Sequence, residues 1–451
     1  MDFVELCRKL ISLDTTPAHG NAEATRFLAE LARARGFDVD VQEETQKETP
    51  QANLLIRLAG PRPDYELMLQ TRLDTPDPGP FALWTKTGQN PFDAHIIEGE
   101  IWGLGAADCK LDAICKLEAL TRFKAAHGGR VGSLPPVLVY TFGEETGMTG
   151  ALKLIRKNKM NAKYAVIGEP SDLRLLTAGN GFAHVEIQLP FEEDEADYRE
   201  DHNLRENSST ISKTFSGKSA HSANPERGES AVIKMLSYLS QLPEDLAIME
   251  IDGGVNANTV PAQAFLEIDP FSGFRLPMAK KLNHVFAAVQ RLESEFLFHR
   301  DLDFSPPHPT LNLGSVRTRD YGIEIMGTVR IPPGITNETY EAWMQKFRAE
   351  CQRVGGDFRV SDYKRPYRTD ANGNFTRTLR GIAKDQGLPV ETGTHSSTNE
   401  ASLFHRVGIE CVSFGPGVRE GNIHTPEERV RIDDLRRAVD FYDGLMARMS
   451  L

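Results

Sequence analysis

The sequence predicts an α/β protein in which a second, α+β domain interrupts the first. Two observations carry this. Apolar or β-branched runs end in acidic residues three times, at Asp74, at Glu144-Glu145 and at Glu169. Strands alternating with helices, with acids gathered at strand ends, place a site along one edge of a sheet. After about residue 178 the texture changes to a separate α+β rhythm, and the alternating pattern returns in the tail. At 451 residues the chain exceeds what one core usually organises, so two domains are expected. The boundaries read this way are 1–177 plus 335–451 for the first domain and 178–334 for the insert.

Taken in order, residues 2 to 36 place Phe3, Leu6, Leu10, then Ala24, Phe27, Leu28 and Leu31 at helical spacing, giving two helices broken at Thr15-Thr16-Pro17. Strands follow at 37–41, 53–58 and 66–70, the last stopped by Pro76, Pro78 and Pro80. Glu98-Gly99-Glu100 reads as a hairpin turn leading into Gly103-Leu104-Gly105. A helix over 111–125 is expected to carry Asp108 and Lys110 in its first turn. Val137 to Thr141 and Tyr164 to Ile167 are the next strands. In the insert, 184–189 alternates as a strand, and the acidic stretch 191–212 reads as a solvated loop or hairpin tip. Helices over 229–242 and 278–298 and strands over 263–268 and 321–330 complete it. A helix over 337–355 begins the return to the first domain, followed by a helix at 375–385, a strand at 410–414 and a final helix at 433–449.

Net charge is -12 with no dense Lys/Arg block, which disfavours nucleic acid or an anionic membrane as partner. The N-terminal run lacks a basic segment followed by a long apolar one, and no run approaches the roughly 18 apolar residues of a spanning helix. A cytoplasmic protein is expected. Five scattered cysteines without CxxC spacing suggest neither a disulfide framework nor a thiolate zinc knuckle.

Arg72, Asp74 and Asp108 sit where a strand's carboxyl end meets a glycine-rich loop, which makes them the first candidates for chemistry. Carboxylates at several strand ends plus a late histidine are also the raw material of a metal site, since zinc accepts imidazole nitrogen and carboxylate oxygen.

Motifs along nearly the whole length sharpen this. They are Arg72-Leu-Asp74-Thr, Trp102-Gly-Leu-Gly-Ala-Ala-Asp108-Cys-Lys110, Gly143-Glu144-Glu145-Thr, Ile167-Gly-Glu169-Pro-Ser, Ser216-Gly-Lys-Ser-Ala-His221-Ser, Asn258-Thr-Val-Pro261, Phe414-Gly-Pro-Gly417 and His424-Thr-Pro-Glu-Glu. In this order they resemble the M20 metallopeptidase and deacylase family, within it the acetylornithine deacetylase and succinyl-diaminopimelate desuccinylase group. The resemblance implies a zinc-peptidase-like catalytic domain with an inserted α+β lid or dimerisation domain. It further implies that Asp108 bridges two zinc ions, that Glu145 and His424 complete the ligands of one, and that Glu169 binds the other. Glu144 is similar to the family's general base. His221 resembles the histidine that polarises the scissile carbonyl, and Arg330 and Asn258 stand where the family contacts a substrate carboxylate or the oxyanion.

One departure matters more than the matches. The family's first motif begins with a metal-binding histidine, and here that position is Arg72. Guanidinium has no lone pair to offer and stays protonated, so Arg72 repels a cation. Arg72 is therefore expected to substitute for the metal shared by Asp108 and Glu169, pairing with Asp108, Glu169 or Asp74, and to supply electrostatic stabilisation. Asp74 is expected to sit behind the ligands and orient them. Carboxylates crowded at about 4 Å repel by on the order of 4 kcal/mol at an effective dielectric of 20, so some cation is required. The expected cofactor is Zn2+, one ion rather than two, with Co2+ and Mn2+ as alternatives. The expected activity is hydrolysis of a small amide, an N-acyl amino acid or a dipeptide, in a homodimer formed through the inserted domain. The alternative is an inactive relative that binds an acylated amino acid or a protein partner.

Overall fold

The computed structural model describes residues 1–61, 63–201, 210–244, 246–270 and 276–451. The chain forms two compact units, one of residues 1–178, 367–394 and 399–451, the other of residues 179–366 and 395–398.

The first unit is built on a mixed sheet of nine strands. Its central run, in spatial order, is Thr49–Arg57, Pro136–Thr141, Glu66–Arg72, Ala162–Gly168 and Glu410–Phe414. The last four of these are mutually parallel. Every residue of Glu66–Arg72 and of Pro136–Thr141 is buried, the pattern of strands covered on both faces. Side chains alternate accordingly. Leu67 and Leu69 enter one core with helices Asp112–His127 and Ile432–Met449, while Met68 enters the opposite core with Ala151, Leu154 and Phe404.

Beneath the carboxyl edge lies a buried polar knot. Lys116 Nζ is 2.6 Å from Asp112 Oδ2 and donates to the Gln70 carbonyl at 2.5 Å and to Thr71 Oγ1 at 2.8 Å. Thr71 and Tyr442 hydroxyls donate to the two Asp112 oxygens at 2.9 and 2.7 Å. Every oxygen of Asp112 is thus engaged, which is the condition under which a buried ion pair is tolerated.

The second unit holds an antiparallel sheet of seven strands. Ala183, Val185, Ile187 and Leu189 of the strand Gly181–Pro190 point alternately into a core formed with helices Ala231–Leu239, Met278–Phe296 and Asn337–Gln352. This corrects the sequence boundary at 335. Helix Asn337–Gln352 buries Tyr340, Trp343 and Phe347 in the second core, and strand Asp357–Lys364 pairs with Gly181–Pro190. Helical spacing marks an element but not the sheet it covers, so the return to the first unit comes at Tyr367 and not at 335.

Two further expectations change. The helix after the glycine-rich loop begins at Asp112, leaving Asp108 and Lys110 in the preceding turn, where Lys110 Nζ donates to the Leu13 carbonyl at 2.5 Å. Within the acidic stretch 191–212, Glu193–Asp201 is a helix whose first turn carries Glu193, Asp194 and Glu195, favourable at its positive end; residues 202–209 lie outside the described residues. Strands Ala247–Gly253 and Thr310–Arg319 were not marked by their sequence pattern. Among the described residues no helix is long and apolar enough to cross a membrane.

Lys116→Met strands Asp112 as a buried charge and should lower the unfolding free energy by about 3–5 kcal/mol, measured by urea denaturation at neutral pH. Combined with Asp112→Asn the loss should be smaller, because no uncompensated charge remains.

Candidate metal centre

Register fixes what meets at the carboxyl edge of the first unit's sheet. Gln70 lies beside Val139 on one side and Ile167 on the other, and Arg72 lies beside Thr141. The chain therefore delivers Arg72, then Glu144 and Glu145, then Glu169 to the same edge. Gly143 makes the turn after Thr141 with φ +69°, and a Cβ there would lie 2.3 Å from Thr149 Oγ1, so only glycine serves.

Arg72 is buried, with a side chain 5% exposed, and its guanidinium meets three carboxylates. Nη2 pairs with Asp108 Oδ1, Nη1 donates to Glu169 Oε2 at 3.2 Å, and Nε lies 3.6 Å from Glu144 Oε2. Burial alone would weaken its hold on the proton, but Asp108, with Cys109, Glu144 and Glu169, raises its pKa above an already high value. Asp74, the other suggested partner, is engaged elsewhere: its Oδ2 accepts from the Glu145 backbone N at 3.0 Å and so fixes the Glu144-Glu145 turn.

Asp108 is held by its backbone. The Ala107 and Asp108 amides both donate to Glu428 Oε1 at 2.9 Å. On the side away from Arg72, Asp108 Oδ2 is 3.0 Å from His424 Nε2, which lies 3.6 Å from Glu145 Oε1. One ligand atom from each of Asp108, Glu145 and His424 falls within 4.8 Å of the others. Burial pushes Asp108 up, but Arg72 and the His424 hydrogen bond win and hold it below the usual carboxylate range. Burial, reinforced by Asp108, raises Glu145 to about 7 against the pull of His424. For His424 burial is outweighed by the Asp108 hydrogen bond and the charges of Asp108 and Glu145, raising it to about 9. The negative charge gathered on this side of Asp108 contributes to raising both Glu145 and His424. Glu144 is raised well above the carboxylate range, by burial first and by Glu145, Asp74 and Asp108, with Arg72 opposing.

Glu169 is fully buried and saturated. Its Oε1 pairs with Arg419 Nη2, and its Oε2 accepts from Arg72 and from Asn399 Nδ2 at 3.1 Å. The donor set thus fits one ion at Asp108, Glu145 and His424. Between Asp108 and Glu169 the Arg72 guanidinium bridges the two carboxylates, and Arg419 holds the other Glu169 oxygen.

His221, Asn258 and Arg330 belong to the second unit. Arg330 Nη2 is 3.5 Å from both Asn258 Oδ1 and Ser222 Oγ, its guanidinium lies 4.4 Å from the Phe182 ring centre, and His221 bridges to Thr259. The three therefore share one locality there. Four residues were missed from sequence: Arg419, Asn399, Glu428 and Glu400. Only Glu428 carried a signal, as the last residue of the His424-Thr-Pro-Glu-Glu motif.

A mixed sheet whose central strands are parallel, with carboxylates and a histidine gathered at their carboxyl ends, defines the class of metal-dependent hydrolases built on α/β sheets. The chain belongs to Peptidase family M20/M25/M40, whose profile matches residues 74–448. It is therefore a hydrolase of the M20 type, and the family implies dependence on a divalent metal. It is 24% identical to an acetylornithine deacetylase of Myxococcus xanthus over 95% of this chain and 92% of that one. It is likewise 24% identical to a succinyl-diaminopimelate desuccinylase of Xanthomonas euvesicatoria pv. vesicatoria over 99% of each. The fold is that of an M20 family metallo-carboxypeptidase from Sulfolobus solfataricus, with a TM-score of 0.63 over 99% of both chains at 17% identity.

Glu400 yields a stability prediction. It is buried, its Oε2 accepts from Gln70 and from Thr141 at 2.8 Å, and its Oε1 has no hydrogen-bond partner among the described residues. Burial pushes it from the ordinary 4.5 to about 8. Between these values the unfolded chain releases the proton and the folded one keeps it, so stability falls with rising pH at about 1.4 kcal/mol per pH unit. Glu400→Gln should make the measured slope shallower by that amount, read from urea melts across the interval.

Proposed function

We propose that the protein hydrolyses the amide bond of an N-acyl amino acid or a dipeptide with one divalent ion, Zn2+ before Co2+ or Mn2+, held by Asp108, Glu145 and His424. What carries the reading is the contrast between those three residues, which converge with no guanidinium among them, and Glu169, which is closed by arginines. The names of the deacetylase and desuccinylase relatives favour an acylated amino acid as substrate.

Bound at that set, the ion supplies Lewis acidity and acidifies water enough for attack at neutral pH. The residues do the rest. Glu144 takes the proton from the attacking water and returns it to the leaving nitrogen. Burial makes it a stronger base than a free carboxylate, with the charge of Arg72 opposing the shift. Asp74 holds the Glu144-Glu145 turn, and Glu428 holds Asp108. Arg72 balances the negative charge that remains on Asp108, Glu144 and Glu169 as the reaction proceeds. We assign to His221 the polarisation of the scissile carbonyl, and to Arg330 with Asn258 the binding of the substrate's carboxylate. We further assign the protein to the cytoplasm as a homodimer joined through the second unit. Its five free cysteines, all buried, suit a reducing compartment.

Reconstitution with zinc should give one ion per chain by elemental analysis, with turnover of an N-acyl amino acid panel that a chelator abolishes. Glu144→Ala should lower kcat by roughly 100- to 10,000-fold with the ion retained, and His424→Ala should lose the ion. A chain that binds no ion and turns over no member of the panel would instead be the inactive relative, using the same frame to bind an acylated amino acid or a protein.

A further inference from the structure

Beyond the loss of one ligand at position 72, we infer that Arg419 is a second, independent block on the other metal position, so that Arg72 and Arg419 together stand in for a divalent ion between Asp108 and Glu169. Asp108 and Glu169 carry two negative charges, and the two guanidiniums supply two positive ones, the same as one divalent ion. Geometry agrees. Arg72 spans the pair, with Nη2 on Asp108 and Nη1 on Glu169, while Arg419 takes the remaining Glu169 oxygen through Nη2. Asn399 completes Glu169, leaving both of its oxygens committed. A guanidinium fork satisfies carboxylates through directed hydrogen bonds but offers no lone pair to a metal.

The loop that brings Arg419 is fastened in place. A Cβ on Gly417, whose φ is +91°, would sit 2.9 Å from Ala107 Cβ, so only glycine lets this backbone lie against the Asp108 turn. The Gly417 carbonyl accepts from Asp172 N at 2.8 Å, and Asn422 Nδ2 donates to the Val418 carbonyl at 2.8 Å and to the Arg429 carbonyl at 2.9 Å. Five residues beyond Arg419 the same loop presents His424, so the Arg419–Glu169 pair also ties the imidazole's loop to the strand end at Gly168.

A consequence follows that the missing histidine alone would not suggest. Restoring it leaves Arg419 on Glu169, and one residual unit charge beside the vacated position weakens a divalent ion's binding by roughly 100-fold or more. The second position opens only when both arginines are removed.

The test is zinc per chain by elemental analysis after equilibration with excess zinc and removal of the unbound metal, on the native protein, Arg72→His, Arg419→Gln and the double variant. The Co2+ visible spectrum provides a second readout, and circular dichroism checks the fold. The double variant should hold one ion more than Arg72→His, and each single variant should hold the native number. A gain of one ion by Arg72→His alone would overturn the inference, as would a folded double variant with no gain. Arg72→His paired with Arg419→Met replaces the double variant if the glutamine does not fold. This inference uses the Asp108, Glu145 and His424 reading only as a baseline. Failure of that reading would show as a native protein without ion or turnover, whereas the inference is judged on the difference between single and double variants.

Discussion

A permanent positive charge buried at the end of a central strand sets the terms for the whole edge of the sheet. Desolvating a guanidinium costs several kcal/mol, so Arg72 can be buried only where carboxylates surround it. Three do, delivered by three separate segments that follow strands or the glycine-rich turn. The dependence runs both ways. Parallel strands in register necessarily bring their carboxyl ends together, and acids placed at those ends could not stay ionised at such separations without a cation among them. Strand register, acid placement and Arg72 are one arrangement described at three levels.

Within it, Asp108 divides the site. One oxygen faces Arg72 and the other faces His424, so a closed ion-pair network lies on one side and a set of unsaturated donors on the other. Glu144 and Glu145 are split in the same way although they are adjacent in the chain. Glu145 turns to His424 and Glu144 to Arg72. Asp74, which accepts from the Glu145 amide, fixes the turn that makes them diverge. The arrangement separates a position that can hold an ion from a carboxylate that can carry a proton.

Much of this was legible in the sequence, for reasons that also explain what was not. Buried parallel strands read as continuous apolar runs, so Glu66–Arg72, Pro136–Thr141 and Ala162–Gly168 stood out, and with them the acids that follow. The affiliation of residues 335–366 did not, because a helix buries the same kind of face against either sheet. Strands Ala247–Gly253 and Thr310–Arg319, part of an antiparallel sheet with one helical face, gave a weaker pattern. Arg419 was invisible for another reason. A loop residue's role depends on where its backbone is folded, and here that depends on Gly417 lying against Ala107, a contact across more than three hundred residues. Glu400 and Asn399 likewise act through contacts with strands far away in the chain.

An arginine at position 72, where the resemblance leads one to expect a metal-binding histidine, does more than withhold a ligand. A metal ion is an exchangeable charge, present or absent according to supply, and its loss leaves the carboxylates that held it to repel one another or take up protons. A guanidinium is covalently part of the chain and remains protonated at any pH the fold survives. With Arg72 and Arg419 on Glu169, that side of the site stays neutralised and geometrically fixed whether or not an ion is bound. On the proposed reading, only the Asp108, Glu145 and His424 side takes up metal. There His424, raised to about 9, and Glu145, raised to about 7, share protons when no ion is near and must release them to receive one. On that reading rising pH favours metal uptake at this position while leaving the arginine-filled side unchanged.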